Sequence, residues 1–179
     1  MPKTIQTLGK FPFIKQNGDF CIPASIENVM KYHIKNLDVD QYKIVSLWRK
    51  KHIMESINIP KITTTLRRSK YRNNFVFEVG AIAGVSFNHD VTHLDRQGLI
   101  NYAKHCCDDG NPLIVAIGKQ GLPGAHMLVV IGYLQNLIMF FDPANKCALN
   151  ECICYGVENW LTRHQFFHNN LTSLLIRPR

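Results

Sequence analysis

Three apolar segments in the second half of the sequence constrain the fold most strongly. Residues 113–117, 127–133 and 137–141 are rich in β-branched and aromatic side chains and are bounded by Gly, Asn and Pro. Short apolar runs between turn residues predict buried β-strands. Because the second and third runs are separated only by residues 134–136, we expect them to pair as an antiparallel hairpin.

Helical periodicity is clearest nearer the N-terminus. Apolar side chains recur every three or four positions from residue 22 to residue 35, with Pro23 in the first turn, which predicts a helix. Asp40 is a candidate N-cap for a second helix. Residues 60–74 are polar, basic and rich in Thr, and we interpret them as a long loop or weak element. The predicted helices are 22–35, 40–57, 94–107 and 157–167, and the predicted strands are 75–79, 82–87, 113–117, 127–133, 137–141 and 171–176.

Helices followed by a mostly antiparallel sheet indicate an α+β fold. The length of 179 residues, with 46% hydrophobic and 19% charged residues, predicts one folded domain that spans residues 1–179. The apolar runs are shorter than the roughly 18–20 residues that a membrane span needs. The first ten residues lack the apolar stretch of a signal peptide. We therefore expect a cytoplasmic protein, or one exported by a secretion system that uses no signal peptide.

Positive charge is concentrated in the first part of the chain. Residues 1–74 carry 14 Lys and Arg against 5 Asp and Glu, whereas residues 75–179 carry 7 against 8. A basic face of this kind attracts acidic partners. No nucleic-acid-binding motif accompanies it, so we do not expect nucleic acid as the partner. The interpretation is a solvated basic face, with the docking of an acidic protein substrate as an open alternative.

The six cysteines follow neither a disulfide pattern nor a metal-binding pattern. Cys106 and Cys107 are adjacent, and Cys147, Cys152 and Cys154 lack the paired spacing of zinc ribbons. A chain of this size also has no need of disulfides to stabilise its core. We expect reduced, buried thiols, no metal and no other cofactor; a zinc site on the C-terminal cysteines is the weaker alternative.

Cys21 differs from the other cysteines in its position. It lies at the predicted start of helix 22–35, where the helix dipole favours a negatively charged thiolate. Cys106 and Cys107 lie at a predicted helix end, where the dipole opposes that charge. Cys21 is therefore the candidate nucleophile. When Cys21 is considered without the other motifs, the alternative interpretation is an ordinary buried thiol at the start of a helix.

His126 is the candidate base for that thiol. It follows the Gly-rich segment 121–125 and precedes the apolar run 127–133, so that its imidazole can face a cleft at the mouth of a buried strand. The other seven histidines have no comparable setting and are interpreted as surface or core residues.

Asp142 is the candidate that orients His126. It ends the run 137–141 and precedes Pro143. If the hairpin turns at 134–136, residue 126 lies opposite about residue 143, and the two side chains lie about 5 Å apart at the open end. A carboxylate there can hold the imidazole in one tautomer. Asp before Pro also suits a plain turn, and Asn145 is the reserve for this role.

Three segments occur in the order Cys, His, Asp. They are residues 16–25 around Cys21, residues 124–133 around His126, and residues 140–143 with Asp142. Together they resemble the nucleophile segment, the histidine strand and the aspartate-proline strand end of papain-like cysteine peptidases. The similarity is closest to the bacterial branch that includes double-glycine leader peptidases, and some bacterial effector deamidases share the layout.

This resemblance implies a papain-like fold, with N-terminal helices packed on a mostly antiparallel sheet, and a triad of Cys21, His126 and Asp142. It further implies that Gln16, or Asn17 in its place, donates a hydrogen bond to the oxyanion beside the Cys21 backbone N–H. The implied activity is hydrolysis of an amide bond in a protein or peptide through a thioester, as in a peptidase. The alternatives are a protein glutamine deamidase and a non-catalytic module that binds through the basic face.

Overall fold

The computed structural model describes nine segments of the chain, which are residues 3–4, 10–48, 59–83, 92–94, 96–118, 125–134, 137–144, 153–156 and 171–179. Within them lie four α-helices, one short 3₁₀ helix and eight strands of one sheet. The helices are α1 (Cys21–His33), α2 (Gln41–Ser46), α3 (Ile59–Arg67) and α4 (Arg96–Asp108), and the 3₁₀ helix is Lys70–Asn73. The strands are β1 (Lys3–Thr4), β2 (Phe75–Ala83), β3 (Thr92–Leu94), β4 (Leu113–Gly118), β5 (Ala125–Leu134), β6 (Leu137–Phe141), β7 (Ile153–Gly156) and β8 (Leu171–Pro178).

The sheet has the strand order β3-β2-β8-β4-β5-β6-β7, and β1 pairs with β5. Among the described strands, every pair is antiparallel except β2 with β3. The predicted α+β fold with a mostly antiparallel sheet is confirmed. Helices α1 and α4 and strands β4, β5, β6 and β8 all end within two residues of their predicted bounds.

The predicted hairpin is formed by β5 and β6. Its register runs from Leu134 opposite Leu137 to Val129 opposite Phe141. An irregularity between Val130 and Gly132 places one extra residue in β5. The bulge and the short turn set the register of the hairpin. If the pairing is continued in this register, residue 126 lies opposite residue 144, one position beyond the predicted partner, residue 143.

Helix α1 is the central helix of the core. Every residue from 22 to 30 is buried, and the helix contacts β5, β4 and β8. Its apolar side chains join a single cluster with the inner face of the sheet. Members of that cluster include Ile22, Ile26, Val29, Met30, Val115, Val129, Phe140 and Leu174. Burial of this face, at about 25 cal/mol per Å² of apolar surface, stabilises the contact of α1 with the sheet.

Helix α2 is shorter than predicted. The Asp40 carboxylate accepts a hydrogen bond from the Lys43 backbone N–H at 2.8 Å, which confirms the N-cap. The helix ends at Ser46, so the prediction that it continues through residues 47 and 48 was wrong. Trp48 is buried in the core, just past the helix end. Residues 49–58 lie outside the described segments.

Residues 60–74 were predicted to be a loop or weak element, and this was wrong. They contain most of α3 and the 3₁₀ helix. Ile59, Ile62 and Leu66 are fully buried at three- and four-residue spacing, and the Thr63 hydroxyl donates to the Ile59 carbonyl at 2.8 Å. Burial of this apolar side offsets the low helix propensity of the Thr-rich sequence.

Residues 75–83 form the single strand β2, so the prediction of two strands divided at Gly80 was wrong. The pairing of β2 with β8 continues through a register shift between Val79 and Ile82. Gly80 lies in this irregular stretch, where a residue without a side chain is favoured by the close approach of neighbouring groups. The remainder of the second predicted strand, 84–87, and the predicted helix 157–167 lie outside the described segments.

None of the helices in the described segments is long and apolar enough to cross a membrane.

Substitution of Gly80 tests the packing at this bulge. A Cβ atom at Gly80 would lie 2.5 Å from the Ser173 hydroxyl oxygen and 3.2 Å from the Tyr102 ring. We expect Gly80→Ala to lower the free energy of unfolding by about 1–3 kcal/mol, the usual cost of overpacking, measured by urea denaturation. In a Ser173→Ala background the same substitution should cost less, because the closest atom is gone. An equal cost in both backgrounds would contradict this explanation.

Candidate active site

Cys21 is the first residue of α1 and is partly exposed. The first turn of the helix contains no acidic side chain, so no carboxylate competes with a thiolate for the positive end of the helix dipole. The buried thiols Cys106 and Cys107 differ from Cys21. Burial raises the pKa of Cys106 to about 11 and that of Cys107 to about 12, which keeps both protonated at neutral pH.

His126 and Asp142 lie together at the open end of the β5–β6 hairpin. The His126 Nε2 atom lies 2.7 Å from the Asp142 Oδ1 atom. The same carboxylate oxygen accepts the Ala144 backbone N–H at 2.8 Å, an Asx-type turn that fixes its orientation. Both side chains are mostly buried, with 22% of the His126 side chain and 16% of the Asp142 side chain exposed. Water therefore competes only weakly for this hydrogen bond.

Opposing effects act on the pKa of His126. Burial lowers the pKa, but the hydrogen bonds to Asp142 and Cys21 and the negative charges of these two residues raise it, to about 9. The imidazole is therefore protonated at neutral pH. The ring interacts with both the Asp142 carboxylate and the Cys21 thiol, so the structure brings Cys21, His126 and Asp142 together.

Gln16 lies in the loop before α1, next to the Asp142 segment. Its backbone N–H donates to the Pro143 carbonyl at 3.0 Å, and its side-chain NH₂ donates to the Gly18 carbonyl. The Gln16 Oε1 atom is buried without a hydrogen-bond partner among the described residues. Such an atom costs about 1–3 kcal/mol unless other contacts offset it. The reserve residue Asn17 is exposed, and Asn145 lies outside the described segments.

Two buried amide side chains hold this loop, and the sequence analysis missed both. Asn28 in α1 exchanges two hydrogen bonds with the Ile14 backbone, each 2.8 Å, and Gln41 in α2 binds the backbone of Lys15 and Asn17. Asn28 is fully buried and Gln41 is 2% exposed. The signal for Asn28 was an amide in the apolar stretch of a predicted helix. Gln41 had no comparable signal, because its partners lie in a segment without regular structure.

An aromatic pair includes Phe20, the residue before Cys21. The rings of Phe20 and Tyr42 meet edge to face, with centroids 5.7 Å apart. Tyr42 is 65% exposed, the one large hydrophobic side chain of the described residues with such exposure. Phe20 directly precedes Cys21, so this aromatic pair adjoins the candidate nucleophile along the chain.

Two of the four basic side chains between residues 67 and 72 make contacts with other parts of the protein. Arg67, Arg68, Lys70 and Arg72 are exposed. Arg67 donates to the Phe77 carbonyl at 2.7 Å, and Lys70 lies 3.7 Å from the Asp38 carboxylate, so two of these charges have structural contacts.

Within the described residues, no cluster of three or more His, Cys, Asp or Glu side chains could hold a metal ion. Cys147 and Cys152, and the side chain of Cys154, lie outside what the structure describes.

Comparisons with known proteins agree with this architecture. A family model described as the Peptidase_C39 like family matches residues 8–164. A crystal structure from Bacillus anthracis, described as that of a C39-like peptidase, matches with a TM-score of 0.61 and 12% sequence identity, over 100% of this chain and 98% of that chain. At this identity the match shows the fold alone. The search of curated proteins found no match.

Replacement of Asp142 tests the cause of the raised pKa of His126. Asp142→Asn removes the negative charge and leaves only a weaker, neutral hydrogen-bond acceptor for the ring, while burial still lowers the pKa. We therefore expect the pKa of His126 to fall from about 9 toward or below its ordinary value, followed by NMR titration of the imidazole protons. Cys21→Ala should produce a smaller fall. A pKa that stays near 9 in Asp142→Asn would contradict the assigned cause.

Proposed function

The chain belongs to the peptidase C39-like family of papain-like cysteine peptidases, and from this premise we propose that it hydrolyses amide bonds in a protein or peptide, with Cys21 as nucleophile. The observation that carries the proposal is the arrangement of Cys21, His126 and Asp142. A thiol at a helix N-terminus contacts an imidazole whose Nε2 lies 2.7 Å from a carboxylate. This arrangement supports the roles of an activated cysteine nucleophile and an oriented histidine.

In the proposed mechanism, His126 holds the proton of the Cys21 thiol as an imidazolium before substrate binds, in keeping with the raised pKa of the ring, and Cys21 is the thiolate. The thiolate sulfur then forms a bond to the carbonyl carbon of the substrate. When the carbon–nitrogen bond breaks, the imidazolium gives its proton to the leaving amine, and a thioester remains. His126 next takes a proton from water, whose oxygen attacks the thioester, and Cys21 leaves as thiolate. Asp142 keeps the imidazole in place through both steps.

Gln16 is the proposed side-chain donor of the oxyanion hole, together with the Cys21 backbone N–H. Its amide nitrogen carries two N–H groups, and one of them binds the Gly18 carbonyl. The second is a donor for the oxyanion of the tetrahedral intermediate. Gln16 is preferred over Asn17 because it is partly buried and hydrogen-bonded to the Pro143 segment, whereas Asn17 is exposed.

The proposed substrate class follows from the family of the chain and from its basic face. A polypeptide is the proposed substrate because the fold belongs to a peptidase family. The exposed arginines of the basic face, Arg68 and Arg72 among them, favour acidic segments in that polypeptide.

A cleavage screen against natural peptides tests the proposal. Peptides prepared from a bacterial lysate are incubated with wild type, Cys21→Ala and Cys106→Ala, and products are identified by mass spectrometry. We expect new peptide termini with wild type and Cys106→Ala but none with Cys21→Ala. Asp142→Asn should cleave about 10²–10⁴-fold more slowly, the usual range for loss of an oriented general base.

The same screen separates the competing functions. An increase of about one dalton in the mass of a peptide, located at a glutamine and without new peptide termini, would indicate a deamidase. If neither product forms and iodoacetamide alkylates Cys21 no faster than Cys106 or Cys107, the proposal is wrong, and salt-sensitive binding of acidic proteins becomes the function to measure.

A further inference from the structure

We propose that Gln41 is a positioning residue of the active site, whose buried amide holds the backbone on both sides of Gln16 and so fixes the oxyanion donor. This inference rests on the proposed function, because it concerns the acyl-transfer step at Cys21. Gln41 would touch neither substrate nor reacting atoms. It would act through the loop that carries Gln16.

The contacts of Gln41 bracket Gln16 along the chain. Its Oε1 atom accepts the backbone N–H of Asn17 at 2.8 Å, and its Nε2 atom donates to the carbonyl of Lys15 at 2.7 Å. The side chain is 2% exposed, so water competes little for these two bonds. One planar amide thus holds the residues immediately before and after Gln16.

The loop is tied at the same point to the segment that follows β6 and contains Asp142. Gln16 donates its backbone N–H to the Pro143 carbonyl at 3.0 Å, and Asp142 binds His126 at 2.7 Å. Hydrogen bonds together with the peptide backbone of Gln16 and of residues 142–143 therefore connect Gln41 to the imidazole. A shift of the loop would move the Gln16 amide relative to both Cys21 and Asp142.

The amide of Gln41 is directed at the loop and has no role within its own helix. Asp40 already caps α2 by accepting the Lys43 N–H. The Gln16 Oε1 atom has no partner among the described residues, so hydrogen bonds of its side chain fix the Gln16 amide only at the NH₂ end. The backbone anchors from Gln41 and Pro143 supply the remaining restraint on its position.

Two reagents that attack Cys21 in different ways test the inference. Iodoacetamide reacts at a saturated carbon and forms no oxyanion, whereas p-nitrophenyl acetate reacts at a carbonyl and forms a tetrahedral oxyanion before p-nitrophenolate leaves. In Gln41→Met, which keeps the length of the side chain without its polar atoms, we expect acylation of Cys21 to slow about 10-fold or more, as loss of an oxyanion donor does. Alkylation of Cys21 should stay within about 2-fold of wild type, because it needs only the thiolate.

Control variants separate positioning from a loss of stability. Gln16→Ala should slow acylation in the same selective way, and Gln16→Ala/Gln41→Met should be no slower than Gln16→Ala, since both act through one donor. Thr63→Val removes a buried hydrogen bond of α3 and should change neither rate. If Gln41→Met does not fold, Gln41→Glu carries the test, because an ionised carboxylate accepts from Asn17 but cannot donate to Lys15.

Several outcomes overturn the inference. Unchanged acylation in a folded Gln41 variant would show that the amide does not position the donor. An equal fall of both rates would show that Gln41 supports the nucleophile or the fold as a whole. If Cys21 in wild type is no more reactive toward iodoacetamide than Cys106 and Cys107, the proposed function fails and this inference fails with it.

Discussion

The contact of α1 with the centre of the sheet determines where the chemistry can occur. The helix buries residues 22–30 against β4, β5 and β8. Its N-terminal turn therefore lies at the N-terminal end of β5. At that end, Cys21 lies near His126, and the bulged hairpin places the Asp142 carboxylate 2.7 Å from the imidazole. The apolar core thus sets the relative positions of three polar groups that come from three separate elements.

Apolar packing alone would leave the loop before α1 without a fixed path, and hydrogen bonds from buried amides supply it. Asn28 holds the loop at Ile14, Gln41 holds it at Lys15 and Asn17, and the Pro143 carbonyl holds it at Gln16. Backbone groups in such an irregular segment need partners when they are buried. The same bonds that satisfy this need also join the loop to the histidine–aspartate pair.

The sequence predicted those parts of the fold and site whose signals are local. Helix α1 and the β5–β6 hairpin have strong apolar patterns and turn residues, so the positions of Cys21, His126 and Asp142 followed from them. Helix α3 was missed because its stability comes from burial against other elements, which a Thr-rich segment does not reveal. Gln41 was missed because its partners lie 24 and 26 residues earlier, in a loop without a pattern.

The place of β8 in the sheet affects when the sheet can be completed during synthesis. β8 is translated after β2 and after β4–β7, yet it lies between β2 and β4. The sheet is therefore in two parts until this strand enters the middle of it. Long-range pairings of this kind form late in folding. A nascent chain emerging from the ribosome therefore carries the Cys21 segment long before β8 is made, and the sheet under α1 becomes continuous only after β8 has emerged.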